Sequence, residues 1–237
     1  TCHLNMIYQG ISVFTLEPVE VEIQGEHIHR VTPSKTRGHL PYISPGFLDI
    51  QVNGYMGGDY SLEDLSEEQV AKIIFHLNRS GTTQHVPTII TIPRERILRN
   101  LKVITKAIQS SRDIACAISG IHIEGPFISP ADGPRGAHNA VYVRPPDVNE
   151  FKQWQEAAEG HITAVTLAPE WEGALEFIQE ITSMGVTAAI GHTAAPPDRI
   201  KAAVEAGARL STHLGNASHP MIPRLRNYLW EQLAEDR

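Results

Sequence analysis

Apolar and polar positions follow a regular pattern along most of the chain. From residue 43 onward, short apolar runs typical of strands are followed by stretches in which apolar residues recur every three or four positions, as on one face of a helix. The clearest helix follows Ser66, which forms a capping-box pattern with Gln69 ahead of Val70, and it ends before Gly81. Alternating strands and helices with nearly continuous apolar strands predict a parallel sheet covered by helices.

Six strands are predicted from this pattern, at 42–51, 84–91, 114–123, 161–168, 186–192 and 209–214. Further helices are predicted around 97–108 and near 172–184, 197–206 and 227–235. The first part of the chain differs, because it contains only short β-like pieces between turn residues. We therefore expect a small β segment over residues 1–42 and an α/β domain over residues 43–237.

Two parallel architectures fit this order, an open sheet and a closed barrel. Glycine-rich phosphate loops of the GxGxxG or GxxxxGK[ST] type follow none of the strands, which removes the main support for a nucleotide-binding open sheet. A (β/α)8 barrel places its chemistry at the carboxyl ends of several strands. Polar side chains stand at these ends in Gln51, Asn53, Glu124, His192 and His213. We expect a (β/α)8 barrel of which about six βα units are present, so that the chain is a fragment, inactive alone, with two units following Arg237.

Composition and charge exclude several classes of function. The 237 residues are 41% hydrophobic and 20% charged, as in ordinary globular proteins. A formal net charge of -7 offers no basic surface for a phosphate backbone, so no nucleic-acid partner is expected. The two cysteines, Cys2 and Cys116, fit a reducing compartment, and no apolar run approaches the ~18 residues of a membrane helix. A cytoplasmic location without membrane association is expected.

Glu124, His192 and His213 each stand at or next to the end of a predicted strand. A lone histidine or glutamate at such a position is more often a core or turn residue. Together, one carboxylate and two imidazoles at one rim of a barrel give three ligands and an open fourth position, as a catalytic zinc site requires. His122 precedes Glu124 by two residues and so shares its strand face. We predict one divalent ion, with zinc expected, although iron and other divalent ions accept the same ligands.

Five segments resemble motifs of the N-acetylglucosamine-6-phosphate deacetylases, a family of the amidohydrolase superfamily. They are PGFLDIQVNG, HIEGPF, RGAHN, GHTAA and THLGNASHPM, and they occur in the family's order between residues 45 and 221. The resemblance implies a metal-dependent (β/α)8 barrel with a small β-sandwich built from both chain ends. It implies hydrolysis of the acetamide of a phosphorylated amino sugar, with Glu124, His192 and His213 as metal ligands. A homodimer is expected for the full-length protein.

Gln51 and Asn53 stand where many amidohydrolases carry His-x-His and hold a second metal ion. Neutral amides are weak zinc ligands, so we predict a single metal ion, with Gln51, Asn53 and His122 as hydrogen-bonding groups around its ligands. Alternatively, the two amides only satisfy backbone groups at the barrel rim.

The resemblance also implies substrate contacts, at His138, Asn216, Ala217 and Arg224. The segment NASHPMIPRLRNYLWEQ departs from the family's usual Asn-Ala-Met and Arg-Glu-Pro-Gly runs, so Arg226 could meet the phosphate in place of Arg224. Either arginine could equally be a solvated loop cation.

The family's acid/base is an aspartate in an Asp-Gly-x-His context, and this sequence has no match at the corresponding place. Asp132 and Gly133 fit a flexible turn better. We assign no catalytic residue within the chain and expect the aspartate beyond Arg237. Two other functions stay open at this point. One is an amidohydrolase that acts on another N-acyl or cyclic amide, and the other is a non-catalytic relative that binds a sugar phosphate.

Overall fold

The N-terminal part of the chain forms a small β unit. A computed structural model describes residues 5–36 and 38–236, and the chain divides into one unit that ends at Phe47 and another that begins at Leu48. The first unit contains β1 (Asn5–Ser12), β2 (Pro18–Gln24), β3 (His27–Pro33) and β4 (Tyr42–Ile43). In the described residues these strands lie in the order β3-β2-β1-β4, with β2 antiparallel to both β1 and β3 and with β4 parallel to β1.

The second unit is built on a sheet of six strands in the residues that the structure describes. Its order, for the part of the chain that the structure describes, is β12-β11-β10-β9-β8-β5. The strands are β5 (Phe47–Val52), β8 (Thr82–Ile89), β9 (Ile121–Glu124), β10 (Ile162–Leu167), β11 (Thr187–Ile190) and β12 (Leu210–Ser211). Pairing is parallel at every junction from β8 to β12. Two short strands, β6 (Gly54–Tyr55) and β7 (Gly58–Asp59), pair with each other after β5.

Helices connect these strands. They are α1 (Glu67–Arg79), α2 (Arg94–Ser110), α3 (Arg112–Ala117), α4 (Val148–Ala157), α5 (Ala174–Ser183), α6 (Pro197–Ala206) and α7 (Tyr228–Leu233). The capping box expected at the start of α1 is confirmed, because the Ser66 hydroxyl accepts from the Gln69 amide and the Gln69 side chain accepts from the Ser66 amide. None of the described helices is long and apolar enough to cross a membrane.

An aromatic cluster lies in the core between the sheet and the helices. Phe127 stacks on Trp154 of α4 at 5.2 Å between ring centroids and meets Phe177 of α5 edge-on at 5.2 Å. All three side chains are fully buried. Burying large aromatic groups supplies much of the hydrophobic stabilisation of such a core. This cluster fixes the loop that begins at Phe127, three residues beyond Glu124.

Two predictions about elements were wrong, and one helix was missed. Residues 112–117 form α3, so the strand expected over 114–123 begins only at Ile121. The sequence prediction missed α4, although Asp147 caps its start and Phe151 and Trp154 form its buried face. The first predicted strand is divided around Pro45 into β4 and β5. Short apolar runs do not distinguish a buried helix turn from a strand, which explains the error at α3.

The strand β5 also differs from the buried strand that was expected. It lies at one end of the described sheet, and Leu48 and Ile50 are exposed, at 52% and 56%. Apolar side chains on an edge strand remain exposed where nothing packs on them. Of the cysteines, Cys116 is exposed on α3, and Cys2 lies outside the described residues.

Candidate metal centre

Glu124, His192 and His213 meet at one edge of the parallel sheet. Glu124 is the last residue of β9, whereas His192 and His213 each follow the last residue of their strand by two positions, after β11 and β12. Because parallel strands end at the same edge, the three side chains converge. Their possible ligand atoms all lie within 4.8 Å of one another. The structure thus brings together the three residues that the sequence had singled out as ligands.

The carboxylate of Glu124 is the centre of this group. Its Oε1 lies 2.8 Å from His213 Nε2 and 3.2 Å from His192 Nε2. The side chains of Glu124 and His192 are buried, whereas that of His213 is 37% exposed. The group therefore has one side from which a water molecule or a substrate can approach.

The ring of His192 is held at Nδ1 by a backbone carbonyl. Its Nδ1 lies 2.9 Å from the carbonyl oxygen of Pro134, and a carbonyl can only accept a hydrogen bond. The Nδ1 of His192 therefore carries a proton, and its Nε2 faces Oε1 of Glu124 at 3.2 Å. A histidine that ligates a metal through one nitrogen commonly donates from the other in this way.

Two side-chain amides, one at the end of β5 and one just after it, hold the Glu124 carboxylate. Gln51 Nε2 donates to Oε1 at 2.8 Å, and Asn53 Nδ2 donates to Oε2 at 3.3 Å. The two residues are two positions apart in an extended segment, so their side chains lie on the same side and both reach the same carboxylate. The structure places Gln51 and Asn53 as hydrogen-bond donors to the candidate ligand.

The electrostatics of the group favour an ionised carboxylate. Burial acts to raise the pKa of Glu124, but the hydrogen bond and charge of His192, with smaller effects of His138 and His122, lower it to about 2. The carboxylate is therefore ready to bind a cation at neutral pH. Burial lowers the pKa of both His122 and His138 to about 4.

His122 lies beneath the group and does not point into it. Its Nε2 lies 2.7 Å from Thr166 Oγ1, and its Nδ1 lies 3.3 Å from Thr88 Oγ1. The hydroxyl of Thr88 donates to the carbonyl of Val86 at 3.2 Å, so Thr88 accepts from Nδ1–H and the neutral ring accepts at Nε2. His122 thus joins a buried hydrogen-bond chain below the ligands.

His138 stands beside His192, with ring centroids 4.4 Å apart. The backbone amide of Thr91 donates to its Nδ1 at 3.4 Å, and the Thr91 hydroxyl lies 2.8 Å from the same atom. Because Nδ1 accepts, the neutral ring carries its proton on Nε2. His138 therefore offers an N–H donor next to the candidate ligands.

The remaining predicted substrate residues lie on the loop after β12. Asn216 and Ala217 line a small cavity together with His192 and His213. Arg224 is exposed and lines a neighbouring apolar cavity of about 550 Å³ with Leu214 and Gly215. The structure therefore places Asn216 and Ala217 beside the candidate ligands and Arg224 at the neighbouring cavity.

Two further predicted groups are exposed. Arg226 pairs with Asp198 at 3.1 Å, with both side chains more than 70% exposed. Such surface ion pairs contribute little to stability, so Arg226 can exchange Asp198 for another anion such as a phosphate. Asp132 lies in a turn, as predicted, and its exposed carboxylate pairs with Arg135.

Three side chains around the site were not predicted from the sequence, those of Thr166, Glu170 and Thr212. Thr166 and Thr212 take part in the chain below the ligands. Glu170 holds the loop after His192, because its carboxylate accepts from the Thr193 hydroxyl at 2.6 Å and from the Ala194 amide at 2.8 Å. The signal in the sequence was a threonine between apolar neighbours, as at Thr166 between Val165 and Leu167.

The donor set fits a divalent metal ion. Ligand atoms around a tetrahedral zinc ion are about 3.3 Å apart, given bonds of about 2.0–2.2 Å to nitrogen and oxygen. The distances from Glu124 Oε1 to the two Nε2 atoms, 2.8 and 3.2 Å, are close to that spacing. An ionised carboxylate and two imidazole nitrogens in one partly open group are suitable ligands for zinc, iron and similar ions. Fold and site together define a parallel α/β protein with a cluster able to bind a metal ion.

Comparison with known proteins identifies relatives of this chain. No protein-family model matches the sequence. The N-acetylglucosamine-6-phosphate deacetylase of Bacillus subtilis (strain 168) is 36% identical over 194 residues, which are 81% of this chain and 48% of that protein. The enzyme of the same name from Mus musculus is 37% identical over 187 residues, 77% of this chain and 44% of that protein.

A solved structure agrees. A mutant N-acetyl-D-glucosamine-6-phosphate deacetylase from Mycobacterium smegmatis, in complex with N-acetyl-D-glucosamine-6-phosphate, matches with a TM-score of 0.83 and 30% identity. The match covers 96% of this chain and 60% of that one. The resemblance expected from the sequence is confirmed, and the chain is a relative of the N-acetylglucosamine-6-phosphate deacetylases. It spans about half the length of the curated relatives that it matches.

Proposed function

We propose that this chain forms the metal-binding part of an amidohydrolase that releases acetate from N-acetylglucosamine 6-phosphate. The observation that carries the proposal is the convergence of Glu124, His192 and His213, with ligand atoms within 4.8 Å of one another. The names of the relatives support the reaction and the substrate. The complex of the Mycobacterium smegmatis protein with the acetylated sugar phosphate supports the same substrate.

The fold and the cofactor belong to the same proposal. We infer that the parallel sheet is part of a (β/α)8 barrel, because its candidate ligands stand at the carboxyl ends of three different strands, β9, β11 and β12. The ion is proposed to be a single zinc. Neutral amides at Gln51 and Asn53 support one ion, since they donate to Glu124 through nitrogen. A cytoplasmic setting suits a sugar-phosphate substrate.

Each residue has a physical task in this scheme. Glu124, His192 and His213 hold the ion, which when bound polarises the acetamide carbonyl and lowers the pKa of an attacking water. Gln51 and Asn53 fix both oxygens of the Glu124 carboxylate. The Pro134 carbonyl keeps the proton of His192 on Nδ1, so that its Nε2 stays available.

Substrate recognition falls to the groups around the open side. His138 offers its Nε2–H to a hydroxyl oxygen of the sugar. Asn216 and Ala217 line the cavity next to His192 and His213, and Arg224 supplies a cation for the phosphate from the neighbouring cavity. A guanidinium–phosphate contact is charge-assisted and stronger than a neutral hydrogen bond. No residue of this chain is assigned to proton transfer, because none matches the family's Asp-Gly-x-His context.

Acetate release, measured with the complete protein that carries this sequence, tests the proposal. We expect release from N-acetylglucosamine 6-phosphate that requires a divalent ion and is abolished by Glu124→Ala. Asp132→Asn is the matched control, because that carboxylate is exposed and paired only with Arg135 among the contacts described. Faster hydrolysis of another N-acyl or cyclic amide would contradict the substrate. Binding of the sugar phosphate without acetate release would contradict catalysis.

A further inference from the structure

A chain of buried side chains runs beneath the candidate ligands. His122 Nε2 lies 2.7 Å from Thr166 Oγ1, and Thr166 Oγ1 lies 2.8 Å from Thr212 Oγ1. All three residues are buried. Thr166 lies on β10 and Thr212 directly follows β12, so the hydroxyl–hydroxyl bond connects two strands that are separated in the sheet by β11.

The hydrogen bonds between these side chains all have the same donor-to-acceptor direction. His122 accepts at Nε2, as its contacts with Thr88 require, so the Thr166 hydroxyl donates to His122. The oxygen of Thr166 is then free to accept, and the Thr212 hydroxyl donates to it. Each hydroxyl uses its one proton once. A fully satisfied buried network of this kind is rigid, and its members are costly to remove singly.

Gly191 provides the space in which the two threonines meet. A Cβ atom at Gly191 would lie 2.7 Å from Thr212 Cβ and 2.8 Å from Thr166 Cγ2, closer than real Cβ contacts. Because Gly191 has no side chain, Thr166 and Thr212 can form their hydrogen bond over this position of the chain, just after β11. Gly191 directly precedes His192, so the same crossing point lies at the base of a ligand.

Thr212 is also adjacent to a ligand. It precedes His213, whose φ of 55° lies in the left-handed region, and His192 has a similar φ of 50°. Non-glycine residues adopt this conformation at a cost and keep it only where neighbouring contacts hold them. The backbone amide of Thr212 donates to the Ile190 carbonyl at 2.8 Å, and its hydroxyl is held by Thr166. Both contacts anchor the residue from which the His213 side chain is presented.

We propose that Thr166 and Thr212 are positioning residues of the metal centre. The hydrogen bond between their hydroxyls holds the His213 ring at the distance from Glu124 and His192 that binding of the ion requires. This inference rests on the metal site in the proposed function. It predicts that the hydroxyl of Thr212, and not only its volume, sets the affinity for the ion.

Two substitutions at Thr212 separate these contributions. Thr212→Val keeps the shape and removes the hydroxyl, whereas Thr212→Ser keeps the hydroxyl. Affinity for Zn²⁺ is measured on the complete protein that carries this sequence by competition with a chelator, and the absorption spectrum of bound Co²⁺ reports the ligand geometry. We expect Thr212→Val to lose about 10–100-fold in affinity, as for other residues that orient metal ligands, and to alter the Co²⁺ spectrum. Thr212→Ser should stay close to the wild type.

Thr105 is the matched control. It is a buried threonine on α2 whose hydroxyl has no hydrogen-bond partner among the described residues. Thr105→Val removes a buried hydroxyl away from the site and should leave Zn²⁺ affinity and the Co²⁺ spectrum unchanged.

Each outcome decides the inference. Wild-type affinity in Thr212→Val, or an equal loss in Thr212→Ser, would overturn it while leaving the metal site intact. A wild-type chain that binds neither ion would overturn the metal site and this inference together. If Thr212→Val fails to fold, Thr166→Val and Thr166→Ser, which alter the other hydroxyl of the same bond, are judged by the same criteria.

Discussion

Gln51 Nε2 donates a hydrogen bond to Glu124 Oε1 at 2.8 Å and joins positions 73 residues apart in the sequence. The donor is a nitrogen that carries hydrogens, so it has no lone pair to offer a cation. In this position the amide orients the carboxylate and does not compete for the ion. The pattern of polar residues on β5 is thereby connected to the chemistry at the end of β9.

Removing the Gln51 amide should weaken metal binding without abolishing it. Gln51→Ala is expected to retain one ion per chain with an affinity lower by about tenfold or more, because residues that orient metal ligands typically contribute 10–100-fold. Chelator competition measures the change. A chain that holds no ion after Gln51→Ala would show that Gln51 is itself a ligand.

Arg224 and Arg226 form a natural pair of variants for phosphate recognition. Arg224→Ala in the complete enzyme should reduce kcat/KM for N-acetylglucosamine 6-phosphate far more than for the unphosphorylated sugar, since only the first offers a charge-assisted contact. Arg226→Ala is the control, because Arg226 pairs with the exposed Asp198. Equal losses on both sugars in Arg224→Ala would remove the assignment, and a selective loss in Arg226→Ala would transfer it.

A buried histidine away from the metal centre should make stability depend on pH. Burial lowers the pKa of His85 from 6.5 to about 4, and its Nε2 lies 2.7 Å from the hydroxyl of the buried Tyr60. As pH falls through 6.5, the unfolded chain binds a proton that the folded chain does not, so the free energy of unfolding decreases. The loss continues down to about pH 4 and reaches about 3 kcal/mol for this group.

Denaturant unfolding between pH 7 and 4 measures that loss, and the NMR titration of His85 measures its pKa directly. His85→Gln should have a smaller decrease in unfolding free energy over the same pH range. A decrease of the same size in the variant would mean that His85 is protonated in both states alike.

Much of the architecture could be predicted from the sequence, because apolar residues recur with different periods in strands and in helices. The period of α1 and its capping residues Ser66 and Gln69 predicted a helix that the structure has at Glu67–Arg79. The last helices were predicted closely too, with α6 at Pro197–Ala206. The error at α3 arose because the run from Ile114 is too short for its period to be read.

The candidate site was predictable to a lesser degree. Glu124, His192 and His213 could be found because each follows an apolar run that ends at the same edge of a parallel sheet. The hydrogen bond between Thr166 and Thr212 could not, because it depends on the approach of two strands across β11 and on the absent Cβ of Gly191. Such contacts join distant residues without any local pattern.

Metal content per chain tests the central claim most directly. The wild-type chain, loaded with Zn²⁺ and freed of excess ion, is compared by elemental analysis with Glu124→Ala, His192→Ala and His213→Ala, with Asp132→Asn as the control. The three converging side chains predict one zinc per chain in the wild type and the control, and loss of zinc from each of the other variants. Two tightly held ions in the wild type, or retention of zinc by the three alanine variants, would contradict the site.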